Sequence, residues 1–427
     1  MQISALTNLK FSKPMWVALI FLGYCPFLGE SFRFYFLPFS GFILLGAIFV
    51  LMNLKEFKVF LLQRDLLTWG VILMIFYLMI NSAFHWGKHP KYWMYLDLGP
   101  FFVMLFGLFF GRYLSSRINY IELEKVMLVI LLLLFLKVIF MLTLAFPIVP
   151  DGSGFLSGYM AITSTGFYRI VPKSSDSFLV SICCMSLVIV IFNPSVISKA
   201  RFLPLGFLLL FILLLNGTRS LYLALLVVII SLMFAARSSF KKIIYLSIFL
   251  AIDILAICFI RSDPIVIGAV DLGFGGVSPG VSQLTQQNLP IFLNSITVGY
   301  RLVEILDVIY KVGGHWLCGL GAGAAYYTPG MNLGAVVEGA YVHSLPFWLY
   351  LKGGVILVSL FYGVVSLGLI KLYIQYLYHP SNNFILICFS VLIGLCILDV
   401  FSNQFSALAG SFYLGFWLKY YPSLNKN

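Results

Sequence analysis

The chain has 427 residues, of which 61% are hydrophobic and 10% are charged, and its mean hydropathy is +1.02. A soluble domain has about a quarter of its residues charged, so this composition excludes an ordinary soluble protein. The net charge is +12, but the basic residues are scattered over short segments between apolar runs. That scatter argues against a nucleic-acid-binding face.

Apolar runs of about twenty residues recur along the chain, and inside lipid such runs must form helices that satisfy their own backbone. The sequence therefore predicts an all-α polytopic membrane protein, a single integral membrane domain over residues 1–427 with about twelve spans. The two spans within 202–236 are short, which leaves tilted, broken or re-entrant helices open there. The predicted spans are 14–30, 34–53, 66–84, 94–111, 126–149, 177–193, 202–216, 220–236, 242–260, 353–376, 383–401 and 404–420.

Basic residues in the connecting segments fall mainly on one side of this topology, and the positive-inside rule makes that side cytoplasmic. Both termini are then cytoplasmic, and the first apolar segment is a span rather than a cleaved signal peptide. Arg33, Lys88 and Lys91 lie on the other side. The cytoplasmic set is Lys10, Lys13, Lys55, Lys58, Arg64, Arg112, Arg117, Lys125, Lys199, Arg201, Arg237, Lys241, Lys242, Lys371, Lys419 and Lys426.

Two polar loops stand out on the non-cytoplasmic side, at about 150–176 and 261–342. The longer loop contains apolar residues at helical spacing, including Val298, Leu302 and Ile309, which predicts an amphipathic helix after Asn294 or Ser295. A glycine-rich turn follows at 313–323. Of seven cysteines only Cys318 lies in a polar loop, so the sequence predicts neither a disulfide framework nor a metal site.

Two arginines on this side are candidates for binding an anion. Arg219 interrupts an apolar run at a span junction, where an arginine usually has an anionic partner, although snorkelling to the interface would also explain it. Arg301 lies on the loop helix, and an ion pair with Glu304, three residues later, would be a purely structural alternative. A guanidinium fork matches phosphate oxygens well.

His343 precedes a predicted span and is the third candidate. A histidine titrates near neutral pH, so it can accept a proton from a hydroxyl or hold a phosphate, although many such residues only cap a helix. Glu338 could pair with it or act as a second acid–base group. Charges inside predicted spans are also functional candidates, with an internal pair between Lys137 and a carboxylate as the structural alternative. The acidic residues of this set are Asp97, Asp253 and Asp399.

In order along the chain, these motifs resemble those of the O-antigen ligase/polymerase superfamily of bacterial membrane glycosyltransferases. The resemblance covers about 216–370; the earlier half matches mainly in hydropathy and span count. It is carried by Gly217-Thr218-Arg219-Ser220, Arg301, the Gly319–Gly323 run, His343-Ser344 and Lys352-Gly353-Gly354.

The resemblance implies an enzyme of the bacterial inner membrane that transfers a glycan from a polyprenyl pyrophosphate to a sugar hydroxyl at the periplasmic face. Arg219 and Arg301 would neutralise the leaving pyrophosphate, and His343 would orient or deprotonate the acceptor or hold the phosphate. Arg169, with Tyr168, is a weaker candidate for substrate binding. No cofactor or metal is implied; a chain-length regulator and a flippase are implied as partners.

Two features favour a polymerase of lipid-linked repeat units over a ligase acting on lipid A core. The family's usual His-Asn step is His-Ser here, and aromatic residues make up 17% of the chain. A transporter or flippase is the main rival from another class, and an envelope scaffold is a third. A transporter would place its polar site near mid-membrane, whereas a transferase requires Arg219, Arg301 and His343 to converge on one non-cytoplasmic cavity.

Overall fold

The computed structural model is predominantly α-helical. In the two β-hairpins, apart from Tyr326, and at some helix ends, it describes the backbone alone. It describes residues 11–28, 36–63, 65–85, 87–89, 91–144, 158–162, 168–172, 175–192, 209, 212–213, 219–236, 239–261, 296–329, 336–339, 342–379, 382–406 and 408–420.

The helices follow the apolar runs of the sequence. They are α1 (Lys13–Leu28), α2 (Phe36–Met52), α3 (Leu54–Leu62), α4 (Leu66–Phe84), α5 (Lys91–Ser115), α6 (Tyr120–Leu144), α7 (Asp176–Phe192), α8 (Arg219–Ala235), α9 (Phe240–Arg261), α10 (Ile296–Val312), α11 (Leu345–Tyr378), α12 (Asn383–Ser402) and α13 (Leu408–Lys419). Two short 3-10 turns, Gly313–His315 and Gln404–Ser406, follow α10 and α12.

Every predicted span except that at 202–216 coincides with a helix, and residues 202–216 lie almost wholly outside the described segments. In the described part of the chain, four helices are long and apolar enough to cross a membrane: α4, α5, α11 and α12. Shorter apolar helices lie within α1, α2, α7 and α8. The length and composition of the helices therefore support a membrane-embedded protein, while the number of twelve spans stays a prediction.

The polar loops differ from the prediction because each contains a β-hairpin. Strands β1 (Gly158–Ile162) and β2 (Tyr168–Pro172) pair antiparallel, as do β3 (Tyr326–Pro329) and β4 (Val336–Gly339). These short segments are rich in tyrosine, valine and isoleucine, which favour strands, and that signal is weak beside the long apolar runs. The amphipathic helix predicted in the longer loop is confirmed as α10.

Aromatic side chains fill the centre of the bundle. Phe21 contacts the rings of Phe42, Phe106 and Phe110 at centroid distances of 5.0–5.9 Å, and Phe412 of α13 joins the same cluster. Rings at these separations add attraction beyond their buried area. The aromatic residues, whose high content was taken to favour a polymerase, therefore have a packing role in this part of the chain.

Glycines let α5 and α13 approach until their backbones touch. A Cβ atom on Gly107 would lie 2.5 Å from the Phe412 carbonyl oxygen and 3.0 Å from the Phe416 nitrogen. Gly111 meets the next turn of α13 in the same way, and Gly415 of α13 meets the Met104 backbone. Small residues that permit such contact are typical of helix pairs in membranes, where close packing replaces the hydrophobic effect.

Contacts between side chains give the direction of α7. The rings of Phe178 and Tyr413 lie 6.3 Å apart, and the Trp417 indole N–H donates to the Ser181 hydroxyl at 3.1 Å. Residue numbers rise together along α7 and α13, so the two helices run parallel. The N-terminus of α7, where the β1–β2 hairpin ends, therefore lies at the same end of the bundle as the N-terminus of α13.

Helix α11 is interrupted near its N-terminus by the Lys352-Gly353-Gly354 segment. Gly354 has φ of +61° and ψ of −162°, which breaks the ladder of helical hydrogen bonds. The glycine-rich turn inserts there. The Leu320 N–H donates to the Leu351 carbonyl, and the Gly321 N–H donates to the Lys352 carbonyl, both at 2.9 Å. The freed N–H groups on the other side, of Val355 and Ile356, donate to the Trp316 and Leu317 carbonyls at 3.0 and 3.2 Å.

A side chain at Gly354 should disrupt this junction. Gly354→Ala would force a positive φ on alanine and place Cβ 2.6 Å from the Cys318 nitrogen, with the Leu317 carbonyl closer still. We expect a loss of about 2–4 kcal/mol in the free energy of unfolding. The measurement is thermal unfolding of the purified protein in detergent, with the remaining monodisperse protein recorded at each temperature. The loss of stability should appear as a lower unfolding temperature.

The matched control is Gly363→Ala in the same helix, because a Cβ atom there meets nothing within 4 Å. This variant should be as stable as the wild type or slightly more stable, since alanine favours a helix interior. Equal stability of the two variants would show that the break does not depend on the conformation of Gly354.

Candidate functional site

The polar part of the molecule gathers around the break in α11. The amide N–H of Asn81 donates to the carbonyls of Cys318 and Lys352 at 2.6 and 3.0 Å, and the Tyr77 hydroxyl donates to that of Gly353 at 2.9 Å. The Ala322 N–H donates to the Ser82 hydroxyl at 2.9 Å. Three polar residues from the end of α4 therefore hold the glycine-rich turn and the broken helix together.

A buried ion pair lies at the centre of this region. Lys352 Nζ is 2.5 Å from Asp97 Oδ2, and the two side chains are 0% and 3% exposed. The Lys352 ammonium also donates to the Ala324 carbonyl, and Asp97 Oδ2 accepts the Gly323 N–H at 2.7 Å. Asp97 was a candidate intramembrane charge, and the structure gives it the role of fixing the turn against α11.

Asp399 likewise takes a structural role. Its Oδ1 accepts the Phe405 N–H at 2.6 Å, which shapes the turn between α12 and α13. The next residues of that turn reach the candidate site, because the Asn403 amide donates to the Val342 carbonyl at 2.6 Å. Lys137 is fully buried in α6, and Asp253 is buried in α9, where within the described segments its Oδ2 accepts no hydrogen bond.

His343 is held by a buried glutamate. Its Nδ1 lies 3.1 and 3.2 Å from the two carboxylate oxygens of Glu304, and its backbone N–H donates to Glu304 Oε2 at 3.1 Å. The Tyr326 hydroxyl donates to Glu304 Oε1. The Glu304 side chain is 1% exposed, while that of His343 is 37% exposed. A buried carboxylate thus fixes a histidine that solvent or a ligand can reach.

This arrangement selects one tautomer of the imidazole. An ionised carboxylate only accepts hydrogen bonds, so the Nδ1 atom beside it carries the proton. In a neutral ring the lone pair is then on Nε2, which is the atom able to accept a proton from a substrate. Carboxylates orient catalytic histidines in this way, and they also stabilise the imidazolium that forms.

Glu304 was not among the site residues predicted from the sequence. Sequence analysis named it only in the structural alternative for Arg301, as the partner in a surface ion pair, whereas its carboxylate contacts His343 and Tyr326. That alternative rested on the three-residue spacing from Arg301, whereas the contact with His343 spans 39 residues. A glutamate inside the apolar spacing of an amphipathic helix, between Leu302 and Ile305, was the available signal.

Arg301 lies one helical turn before Glu304 in α10. Residues three apart share a helix face, so the backbone brings Arg301 next to the carboxylate that holds His343. Its side chain is outside the described set, as are those of Tyr168 and Arg169 in β2 and Glu338 in β4. Glu338 pairs with Tyr327 across the hairpin, next to Tyr326; its contact with His343 stays a prediction.

Arg219 is the first residue of α8, and contacts elsewhere fix which end of the bundle it occupies. Lys242 Nζ, at the start of α9, lies 4.6 Å from the ring centroid of Phe192, at the end of α7. Because α8 ends next to the start of α9, α8 runs parallel to α7, and Arg219 lies at the end where α7 begins. His343 lies at the same end of the bundle. Its neighbour Val342 accepts a hydrogen bond from Asn403, which precedes α13, and α13 begins at the end where α7 begins. The Arg219 side chain lies outside the described set, so its convergence with Arg301 and His343 stays a prediction.

Three further histidines surround the glycine-rich turn. The ring of His85 lies 6.3 Å from that of His89 and 6.1 Å from that of His315. His89 Nε2 and the Leu320 carbonyl are 2.9 Å apart. Burial lowers the pKa of His89, and the charges of Lys352 and His85 lower it further, against the raising effects of the Leu320 carbonyl and Asp97. Among described side chains, no group of three or more His, Cys, Asp or Glu is arranged to hold a metal ion.

Comparison with known proteins adds no further assignment. The chain matches no protein-family model, and a search of curated proteins gave no significant match.

Breaking the buried ion pair should cost more than removing it whole. Lys352→Met leaves the Asp97 carboxylate buried without its cation, which we expect to lower the free energy of unfolding by about 3–5 kcal/mol. The double variant Lys352→Met/Asp97→Asn should recover much of that loss, because no unpaired charge stays buried. Thermal unfolding in detergent compares the variants, with the exposed Lys88→Met as control. A double variant less stable than Lys352→Met would contradict this account.

Proposed function

We propose that the protein is a membrane glycosyltransferase that polymerises oligosaccharide repeat units linked to undecaprenyl pyrophosphate, forming O-antigen or a related surface polysaccharide. The observation that carries the proposal is the buried Glu304 carboxylate on His343 Nδ1, next to the helix turn that holds Arg301. The order of motifs that resembles the O-antigen ligase/polymerase superfamily supplies the substrate class. The proposed site faces the periplasm, and the protein lies in the bacterial inner membrane with both termini cytoplasmic.

In the proposed reaction, a hydroxyl oxygen of the acceptor attacks the anomeric carbon of the donor glycan. The new glycosidic C–O bond forms as the bond from the anomeric carbon to the pyrophosphate oxygen breaks. His343 Nε2 takes the hydroxyl proton, and Glu304 stabilises the resulting imidazolium. Arg219 and Arg301 neutralise the leaving undecaprenyl pyrophosphate, since fixed positive charge is most effective where negative charge develops.

The position of the broken helix favours this proposal over a transporter. Transporters use discontinuous helices to form sites near the bilayer midplane. Here the segment of α11 after the break, Val355–Tyr378, is about 36 Å long at 1.5 Å per residue. The hydrocarbon core is about 30 Å thick, so this segment alone can span it. The break and the polar cluster then lie at one membrane edge, where a lipid-linked pyrophosphate is presented.

Deletion and restoration of the gene in its native host tests the proposed function. We expect lipopolysaccharide that carries a single repeat unit and no ladder in the deletion strain, and a normal ladder after restoration, both by gel electrophoresis. Bare core with accumulated lipid-linked polymer would instead assign the ligase reaction. An unchanged ladder would exclude both reactions for O-antigen and would favour the transporter or scaffold alternatives.

Substitution of His343 tests its role as the base. His343→Ala should lower the rate of glycan transfer by about 10²–10⁴-fold while donor binding is retained, because general-base catalysis contributes that much. Glu304→Gln should also lower the rate, since the amide can donate to Nδ1 as well as accept from it and therefore neither fixes the tautomer nor stabilises an imidazolium. His379→Ala, at the end of α11, is the control and should be fully active. Equal losses of transfer and donor binding in His343→Ala would assign phosphate binding instead.

Substitution of Arg219 or Arg301 should weaken donor binding as well as transfer, unlike His343→Ala. Arg219→Ala and Arg301→Ala should each abolish glycan transfer and weaken donor binding while the protein stays in the membrane. Lysine at either position should restore activity only in part, because it carries the charge without the guanidinium fork. Transfer assays with purified, membrane-reconstituted protein compare the variants. Normal activity of both alanine variants would remove pyrophosphate binding from these residues.

A further inference from the structure

A cavity of about 610 Å³ opens at the end of the bundle opposite the candidate site. It lies where α4 begins and where α5 and α13 end, next to the ion pair between Asp65 and Lys419 at 2.7 Å. Five basic residues and one carboxylate, that of Glu56, line it. The basic residues are Lys55, Arg112, Arg117, Lys371 and Lys419.

The positive charge in this cavity exceeds the negative charge near it. Glu56 forms an ion pair with Arg117, whose guanidinium nitrogen Nη2 lies 2.5 Å from Glu56 Oε1. Asp65 forms its ion pair with Lys419. Burial raises the pKa of the Asp65 carboxyl, but the hydrogen bond and charge of Lys419, together with the hydrogen bonds from Thr68, lower it by more, so the net shift is downward. The carboxyl group therefore stays ionised. Across the segments for which side chains are described, no carboxylate forms an ion pair with Arg112 or Lys371.

The same cavity has apolar walls. Val59, Phe109, Leu372 and Leu418 line it between the basic groups. Apolar side chains on the adjoining outer surface are exposed as well, among them Leu62 at 68%. The site therefore presents an anion-binding face and an apolar face side by side, at the end of helices long enough to cross a membrane.

We propose that this cavity binds the headgroup phosphate of an anionic phospholipid, with the acyl chains lying along the apolar wall. A phosphate diester accepts hydrogen bonds from guanidinium and ammonium groups, and basic pockets between transmembrane helices bind such headgroups. A free phosphate ion offers the same anion but no acyl chains, so it would leave the apolar wall unused. The inference is independent of the glycosyltransferase proposal and of which end of the bundle faces the cytoplasm.

The experiment uses the whole chain in detergent, with phosphatidylglycerol as the probe and phosphatidylcholine, whose phosphate is balanced by its own choline cation, as the zwitterionic control. We expect phosphatidylglycerol, and not phosphatidylcholine, to raise the unfolding temperature and to stay bound in native mass spectrometry. The double variant Arg112→Gln/Lys371→Gln should bind phosphatidylglycerol at least about tenfold more weakly, as expected when two direct charge contacts are lost. Lys371→Gln alone, at an exposed position, should show a smaller loss in the same direction.

The charge-matched control is Lys88→Gln/Lys241→Gln, which removes two exposed lysines outside the cavity. It should bind the lipid as the wild type does. Wild-type affinity in both Arg112→Gln/Lys371→Gln and Lys371→Gln would overturn the proposal. Equal binding of inorganic phosphate and phosphatidylglycerol would also overturn it, because the acyl chains would then contribute nothing.

Discussion

The arrangement of the polar region depends on how the backbone groups freed at Gly354 are satisfied. A break in an apolar helix exposes N–H and C=O groups that are costly to bury without partners. Here the glycine-rich turn supplies those partners, and the Lys352–Asp97 ion pair anchors the turn to α5. Gly319, Gly321 and Gly323 have the positive φ angles that the turn requires, and the lack of a Cβ on Gly319 allows it to approach the backbone of Gly353 and Gly354. The turn leads into β3, whose Tyr326 contacts Glu304, and thus into the His343 site.

Much of the helical architecture follows from the sequence, because long apolar runs allow few other structures in a membrane. The positions of α4, α5, α11 and α12 were predicted in this way, and so was the amphipathic α10. The break within α11 was not predicted: the Lys-Gly-Gly segment was recognised only as a motif before a span. Whether a helix continues through two glycines depends on a partner that satisfies its backbone, and that partner lies some thirty residues away.

The candidate site shows the same limit. His343 and Arg301 were singled out from residue type and position, and Glu338, five residues before His343, was named either as its partner or as a second acid–base group. The structure supplies Glu304, because α10 packs against α11 and β3. Local spacing identifies pairs within one helix, but a contact made through tertiary packing carries no local signature. The roles of Tyr77 and Asn81 were missed for this reason, since the sequence gives no sign that either differs from an ordinary residue of an apolar span.

The contact between α5 and α13 has a consequence for biogenesis. Gly107 and Gly111 form a groove on α5 that fits the backbone of a helix beginning some three hundred residues later. During synthesis, α5 therefore enters the bilayer long before its closest neighbour exists, and lipid or an insertion chaperone must cover the groove in the meantime. Close packing of α5 waits for α13, so a ribosome that stalls before α13 would leave a nascent protein in which this groove of α5 is exposed to membrane proteases.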